Sequence, residues 1–498
     1  MTIIDCHIHP QTEGDYHTNF RRLVRHMMQH NIGKAVISDL GNGWKAFPDN
    51  ATLITANERV SREARSSGGR VEYLVYINPQ NQGWEEVFDR FIQNSCGVKL
   101  WISLRSAEHG LERTKDVLRL AAKHDKAVLI HTFDLTVPGQ PGQIGMAEII
   151  ELAGAVPDCR IVAAHSGGNW RKAISLAEQI PGNVVFDISG GYPERTMVRR
   201  LTDAFGSRRI LYGSDAYGRS FGSQLSKLQD CGLDSEELCD ILYRNSMRVF
   251  KLSPAEPVPD AAAQKWDIPA LNEDNFCFTG SSLYWDHCAA PADLAAAAEK
   301  RGVSTLFAAS LEALTCRDKI SANMRHLREC ADYPQIKVLA VADLGDMRGT
   351  MAQLEALDGF AGVLISPYLH NYRLDYRSYA RFFDFCSKRD IPVWINTALS
   401  DDRFRDIRLQ TRRVSVEEII AFLKDAPLCS FTFQGCPPDV SLSRAMPDNC
   451  RMECSRLSDG EYAPEELFRD GCPGKLCFGS EYPFREYGSV QSVLAGEL

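Results

Sequence analysis

Two histidines separated by one residue stand near the start of the chain, in Asp5-Cys-His-Ile-His-Pro10. Side chains alternate across a strand, so His7 and His9 project to the same side and can offer two imidazoles to one metal ion. Three further residues suited to metal binding or proton transfer follow short apolar runs: His131 after Val128-Leu-Ile, His165 after Val162-Ala-Ala, and Asp215 after Leu211-Tyr-Gly-Ser. Each alone has a plain structural account, His131 and His165 as satisfied core histidines and Asp215 as the N-cap of a following helix. Placed together at the strand ends of one barrel, four imidazoles and a carboxylate converge on one mouth. Such donors suit a divalent ion, zinc first, with manganese, iron and nickel as its neighbours. The ion would lower the pKa of water toward about 7, and an adjacent carboxylate could pass the proton to a leaving group.

These residues must be positioned by a repeated βα rhythm. Apolar, β-branched runs occur at Ile3–His7, Lys34–Asp39, Glu72–Asn78, Gly97–Ile102, Ala127–Thr132, Arg160–His165, Val184–Ser189 and Ile210–Ser214. Segments of helical character lie between them, such as Thr18–Asn31, Leu111–Asp125 and Met146–Ala153. Eight strands in about 250 residues predict an α/β fold of the (β/α)8 TIM type. Ser235–Leu252 closes the unit, and the Pro- and Ala-rich stretch after it reads as a linker. The expected domains are residues 1–252, a linker over 253–274, and a second barrel over 275–498.

The second half repeats the rhythm at Phe276–Thr279, Ser304–Ala308, Lys337–Val341, Gly362–Ser366, Val393–Thr397, Ser430–Gln434, Arg451–Ser455 and Lys475–Ser480. Gly97-Val-Lys-Leu faces Gly362-Val-Leu-Ile, Val128-Leu-Ile-His-Thr faces Val393-Trp-Ile-Asn-Thr, and Leu211-Tyr-Gly-Ser-Asp faces Cys477-Phe-Gly-Ser-Glu, at an offset of about 265 residues. This reads as a tandem duplication. The metal pattern does not recur in it. His7 and His9 fall opposite Phe278 and Gly280, Lys99 opposite Leu364, His131 opposite Asn396, His165 opposite Gln434, and Asp215 opposite Glu481. Of twelve histidines only His287, His326 and His370 lie in this half, so the second barrel is expected to be a degenerate, metal-free copy.

The 498 residues carry 56 Lys+Arg against 65 Asp+Glu, a formal charge of −9, and the basic residues are scattered. Neither nucleic acid nor a membrane is the expected partner; a small-molecule substrate is. The first residues lack a basic and apolar leader, no run of 18 apolar residues occurs, and a cytoplasmic location is expected. The sixteen cysteines include no Cys-x-x-Cys pair and read as small buried hydrophobes rather than disulfides or zinc ligands.

Asp5-Cys-His-Ile-His-Pro, Gly97-Val-Lys-Leu-Trp, Ile130-His131, Ala164-His165-Ser-Gly-Gly, Gly213-Ser-Asp215 and the closing Ile-Leu-Tyr-Arg-Asn245-Ser-Met-Arg248-Val-Phe resemble the amidohydrolase superfamily of metal-dependent barrel enzymes. The branch resembled is the amidohydrolase-related one, which holds hydrolases and non-oxidative decarboxylases. The resemblance covers residues 1–252. It implies that His7, His9 and His131 ligate a divalent metal, that Asp215 is ligand and proton acceptor, and that His165 is a second-metal ligand or catalytic acid/base. Lys99 occupies the place where two-metal members carry a carboxylated bridging lysine and where one-metal members carry a residue that shapes the barrel; one metal is the reading adopted.

Loop residues could contact substrate: Arg105 and Arg219 through a carboxylate, and Trp44, Trp101 and Tyr192 as an aromatic wall. The expected function is a metal-dependent hydrolase acting on a C–N or cyclic ester bond of a small molecule. The alternatives are a non-oxidative decarboxylase of an unsaturated or aromatic acid, or a non-enzymatic ligand-binding sensor or scaffold. Members of the family pair as dimers, so a homodimer or an internal pseudo-dimer is the expected assembly.

Overall fold

The computed structural model describes residues 2–101, 111–134, 143–258, 271–426, 430–460 and 463–495. The chain divides into two units, one of residues 1–191 with 196–264, the other of residues 192–195 with 265–497.

The strands of the first unit are β1 (Ile3–Ile8), β2 (Ile32–Ile37), β3 (Val71–Ile77), β4 (Gly97–Leu100), β5 (Ala127–Ile130), β6 (Ile161–Ala163), β7 (Val184–Asp187) and β8 (Ile210–Leu211). They pair in chain order, all parallel, and a bridge from Ile8 to Ala216 brings the end of the sheet back to its start. The result is a nearly closed eight-stranded barrel of the (β/α)8 type. Helices lie at Tyr16–Gln29, Glu112–Lys123 and Met146–Ala155, as the apolar spacing predicts. The fully buried strands follow from a parallel sheet covered on its outer face.

Alternation along these strands decides which side chains reach the barrel interior. Val98, Leu100, Val128, Ile130, Val184 and Phe186 pack in the outer core. Leu129, Val162, Val185 and Leu211 pack in a separate inner cluster with Ile4 and Cys6. Lys99, His131, Asp187 and Asp215 continue the inner set. On β1 the alternation breaks, Cys6 lying inward and Ile8 outward, where the pairing with β2 shifts register between Asp5 and Ile8.

The second unit has nine strands: β9 (Glu273–Ser282), β10 (Trp285–Ala289), β11 (Thr305–Ser310), β12 (Ile336–Ala342), β13 (Gly362–Ile365), β14 (Val393–Asn396), β15 (Phe431–Gln434), β16 (Cys450–Glu453) and β17 (Leu476–Cys477). Their order is β10-β9-β11-β12-β13-β14-β15-β16-β17. The eight expected strands are present and parallel. β10 is an addition, antiparallel to β9; its half-exposed Trp-Asp-His-Cys-Ala pattern belongs to an edge hairpin, not to the buried apolar runs that mark a parallel sheet. Phe276, Phe278, Leu339, Leu364, Trp394 and Phe484 form one apolar cluster, and Glu453, Glu481 and Arg485 are buried in the same unit.

The described cysteines are free thiols, most of them buried. Among the described residues no helix is long and apolar enough to cross a membrane.

Candidate metal centre

Hydrogen bonds fix the tautomers of the two β1 histidines. His9 Nδ1 lies 2.8 Å from the Ser38 carbonyl oxygen, which can only accept, so Nδ1 carries the proton and Nε2 the lone pair. His7 Nδ1 lies 3.0 Å from Asp187 Oδ2, which imposes the same tautomer. The two Nε2 atoms face each other at 3.1 Å, and Asp215 Oδ1 lies 3.7 Å from His9 Nε2. Burial, helped by the nearby Lys99 cation, holds the pKa of both imidazoles well below the usual value. Two neutral rings therefore direct lone pairs into one space, where a cation, the Lys99 ammonium or a metal ion, can meet them. Ligand atoms about 2.1 Å from one ion at octahedral or tetrahedral angles are about 3.0–3.4 Å apart. With ligand atoms of His7, His9 and Asp215 all within 4.8 Å of one another, the donor set fits a divalent metal ion.

Lys99 enters the same centre because it stands between the outward Val98 and Leu100. Its Nζ lies 2.8 Å from His7 Nε2. Burial lowers its pKa to about 8 against the upward pull of Asp215 and Asp187.

His165 Nδ1 lies 3.1 Å from the Ser189 carbonyl and donates to it. Its Nε2 then accepts from His131 Nδ1 at 3.1 Å, which leaves the lone pair of His131 on Nε2. His165 also stacks on His7 with ring centroids 5.1 Å apart, and burial and Lys99 push the pKa of His131 down to about 3. Thus His7, His9 and Asp215 meet directly, and His131 joins them through His165. Asp215 is 20% exposed, and it is not a helix cap: the next helix starts at Phe221 and is capped by Ser220.

Aromatic rings border the centre. Trp44 meets His9 edge-on at 5.6 Å and Tyr217 at 5.4 Å, and its Nε1 reaches the Pro10 carbonyl at 3.4 Å. Trp101 lies 5.7 Å from His131, and Phe133 5.9 Å. Tyr217 and Phe133 were not anticipated from the sequence, although both follow strand ends. Arg219 lies on the segment after Asp215, with Nη1 3.3 Å from the Gly218 carbonyl; Arg105 lies outside the described residues. Tyr192 requires a correction. It belongs to the second unit, is 9% exposed in the cluster of Phe276 and Phe278, and carries Arg485 over its ring at 4.1 Å. A position after strand seven placed it in a loop, but loop direction is not encoded by strand periodicity.

Asp187 joins the centre without standing among the residues that the sequence pattern singles out. It ends β7 in step with the inward Val185, and the rule that selected His131 and Asp215 selects it equally. Asp187 Oδ1 accepts from the backbone N–H of His165 at 3.0 Å and of Ser189 at 2.9 Å. Glu453 in the second unit accepts from the corresponding backbone groups with both oxygens, Oε1 from Gly435 at 2.6 Å and Oε2 from Ser455 at 2.7 Å. Asp5 likewise accepts from the N–H of His7 and Ser214, and Asp274 from that of Phe276 and Ser480.

These patterns correct the alignment of the halves. Phe276 and Phe278, not Phe278 and Gly280, hold the places of His7 and His9, and Gly435, not Gln434, holds that of His165. The spacing within each motif is kept while the loops between motifs differ in length, so a single offset slips. Asp215 and Glu481 correspond as expected, and both have a left-handed backbone, with φ of 62° and 55°.

Burial raises the pKa of Glu453 from 4.5 to about 7, and that of Asp5 also to about 7. A carboxyl that holds its proton more tightly when folded gives stability that is complete below about pH 4.5 and lost as pH rises through 7. Glu453→Gln should remove about 3 kcal/mol of that pH dependence, leaving the part due to Asp5. Urea unfolding at pH 4 and pH 8 reads this directly, and a dependence equal to wild type would place the proton elsewhere.

An amidohydrolase family model matches residues 4–252, half of the chain. No curated protein matches the sequence. Among solved structures, 2,6-dihydroxybenzoate decarboxylase from Rhizobium is 15% identical, with 50% of this chain and 99% of that chain covered and a TM-score of 0.40. For 5-carboxyvanillate decarboxylase from Sphingomonas paucimobilis the values are 12%, 51%, 99% and 0.40. For a candidate 2-pyrone-4,6-dicarboxylic acid hydrolase from Pseudomonas putida they are 17%, 50%, 97% and 0.37. With its matched segment spanning the barrel from β1 to the closing helix, the chain belongs to the amidohydrolase family.

Proposed function

We propose that the first unit is a metal-dependent hydrolase that cleaves a C–N or cyclic ester bond of a small molecule. The observation that carries this reading is the facing pair of Nε2 lone pairs on His7 and His9 beside the partly exposed carboxylate of Asp215. These three residues would hold a divalent ion, zinc suiting the nitrogen-rich donors best. When bound, the ion supplies Lewis acidity and lowers the pKa of water. Asp215 takes the proton of the attacking water and delivers it to the leaving group. Lys99 adds positive charge beside the same centre, suited to a carbonyl oxygen gathering negative charge. The neutral His131–His165 pair, anchored on the Ser189 carbonyl, keeps a lone pair on His131 Nε2 for accepting or relaying a proton.

A second reading, decarboxylation of an unsaturated or aromatic acid, is favoured by the rings of Trp44, Tyr217, Trp101 and Phe133 around a centre that also holds the Lys99 cation. Elemental analysis of the full chain, followed by incubation with lactones, cyclic amides and hydroxybenzoic acids, separates the readings. Ring opening supports hydrolysis, and carbon dioxide release supports decarboxylation. Failure to retain zinc, manganese, iron or nickel would overturn both and leave a ligand-binding sensor.

We also infer that the second unit arose by tandem duplication and then lost its metal donors. The shared hydrogen-bond patterns of Asp5 with Asp274 and Asp187 with Glu453 support this.

A further inference from the structure

We propose that Asp187 is a positioning residue for the metal centre, setting the tautomer and aim of His7 so that its Nε2 lone pair faces the ion. The inference rests on the metal-dependent reading of the site.

The two oxygens of this fully buried carboxylate have separate duties. Oδ1 accepts from the backbone N–H of His165 and Ser189 and from the Ser189 hydroxyl, which holds the end of β7 in shape. Oδ2 accepts from His7 Nδ1. The Ser189 hydroxyl, having given its only proton to Asp187, can only accept from His7 Nδ1, which lies 2.9 Å away. Two acceptors thus hold the His7 proton on Nδ1. An independent mark of the outcome is the donation of Lys99 to His7 Nε2, which needs a lone pair there.

The bracket is itself anchored. The buried Lys227 ammonium donates to the carbonyls of Ile188 at 2.7 Å and Gly190 at 3.2 Å, on either side of Ser189. Gly190 has a φ of +66°, and a Cβ there would come within 2.3 Å of His165 Nδ1. The second unit shows that the two duties are separable. Glu453 holds the backbone of Gly435 on Oε1 and of Ser455 on Oε2, both oxygens serving the backbone where the place of His7 is taken by Phe276.

His7, His165 and Asp187 also lie within ligand reach of one another. The Ser189 hydroxyl sits among them, 2.9 Å from His7 Nδ1 and 3.0 Å from His165 Nδ1, so that space is filled by an oxygen of the chain. The cluster orients an imidazole; it is not a second ion site.

Asp187→Asn tests the proposal. Its single carbonyl oxygen is claimed by the two backbone N–H groups, so the amide NH2 faces His7 Nδ1 and drives the proton to Nε2, as the wrong partner does in a catalytic triad. Chelator competition with zinc on the full-length protein should show one equivalent bound by wild type and by the variant, about 10–100-fold more weakly in the latter, with circular dichroism unchanged. An affinity within twofold of wild type in a folded variant would overturn the proposal. So would two equivalents in wild type with one lost in the variant, which would make Asp187 a ligand.

Nitrogen-15 imidazole shifts of the metal-free wild type, with His7 assigned by its loss in His7→Gln, give a reading that needs no folded Asp187 variant and no bound ion. Protonation on Nδ1 sustains the proposal, and protonation on Nε2 overturns it. If wild type binds no metal, the functional reading fails, and this spectrum still decides the hold of Asp187 on His7.

Discussion

Asp215→Asn is expected to lower turnover by about 10²–10⁴-fold, the range for loss of a general base. Asparagine suits this test because it keeps the shape of the side chain and tolerates the left-handed backbone at φ 62° better than other residues. Its amide oxygen can still approach a cation, but it cannot hold a proton from water. Assays at saturating metal separate the two duties, since lost affinity is restored by added ion and lost proton transfer is not. The loss should therefore persist in kcat when elemental analysis shows the site filled. A kcat within a few-fold of wild type under those conditions would remove Asp215 from proton transfer and leave it as a ligand only.

Arg485→Met should lower the stability of the protein by about 3–5 kcal/mol, the range for breaking a buried ion pair on one side. Arg485 and Glu481 have no exposure to solvent, and Arg485 Nε donates to Glu481 Oε2 at 2.8 Å. Arg456 at 3.2 Å and the Ser400 N–H at 2.7 Å serve the other oxygen. Removing Arg485 therefore takes the partner from one buried carboxylate oxygen and also removes the nearer of two cations over the ring of Tyr192. The double change Glu481→Gln with Arg485→Met should recover part of the loss, because the half-paired carboxylate charge is then gone while an amide oxygen can still accept from Ser400 and Arg456. Urea unfolding of the single and double variants reads the coupling. Additive effects would show that the pair is not an energetic unit.

The barrel and most of its centre were legible because parallel strands write their two faces into alternate residues. Val98-Lys99-Leu100 shows this most simply: two apolar residues need a helical cover, and the lysine between them is left with the interior. The same logic reaches His131 and Asp215, and it reaches Asp187 equally, at the end of β7. Strand logic says nothing about loops. Tyr192 entered the core of the other unit, and Tyr217 and Phe133 reached the centre, by backbone courses that no periodicity records. The two-residue slip over Phe276 had a related cause, since correspondence between the halves is held by hydrogen bonds to Asp5 and Asp274, not by a uniform count along the chain. β10 was missed because its residues pattern as an edge, whereas the neighbouring strands pattern as buried.

The pairing of Glu481 with two guanidinium groups bears on whether the second unit could be made to hold a metal ion. Its carboxylate stands in the place of Asp215, yet its charge is already cancelled from within the chain. Grafting histidines at Phe276 and Phe278 would put imidazoles next to an acid with no negative charge left to share. Both arginines would have to go as well, and each loss alone would unsettle the core before any ion could compensate. A metal site in the second unit would therefore need several substitutions at once, since no single one of them supplies both the donors and the free charge.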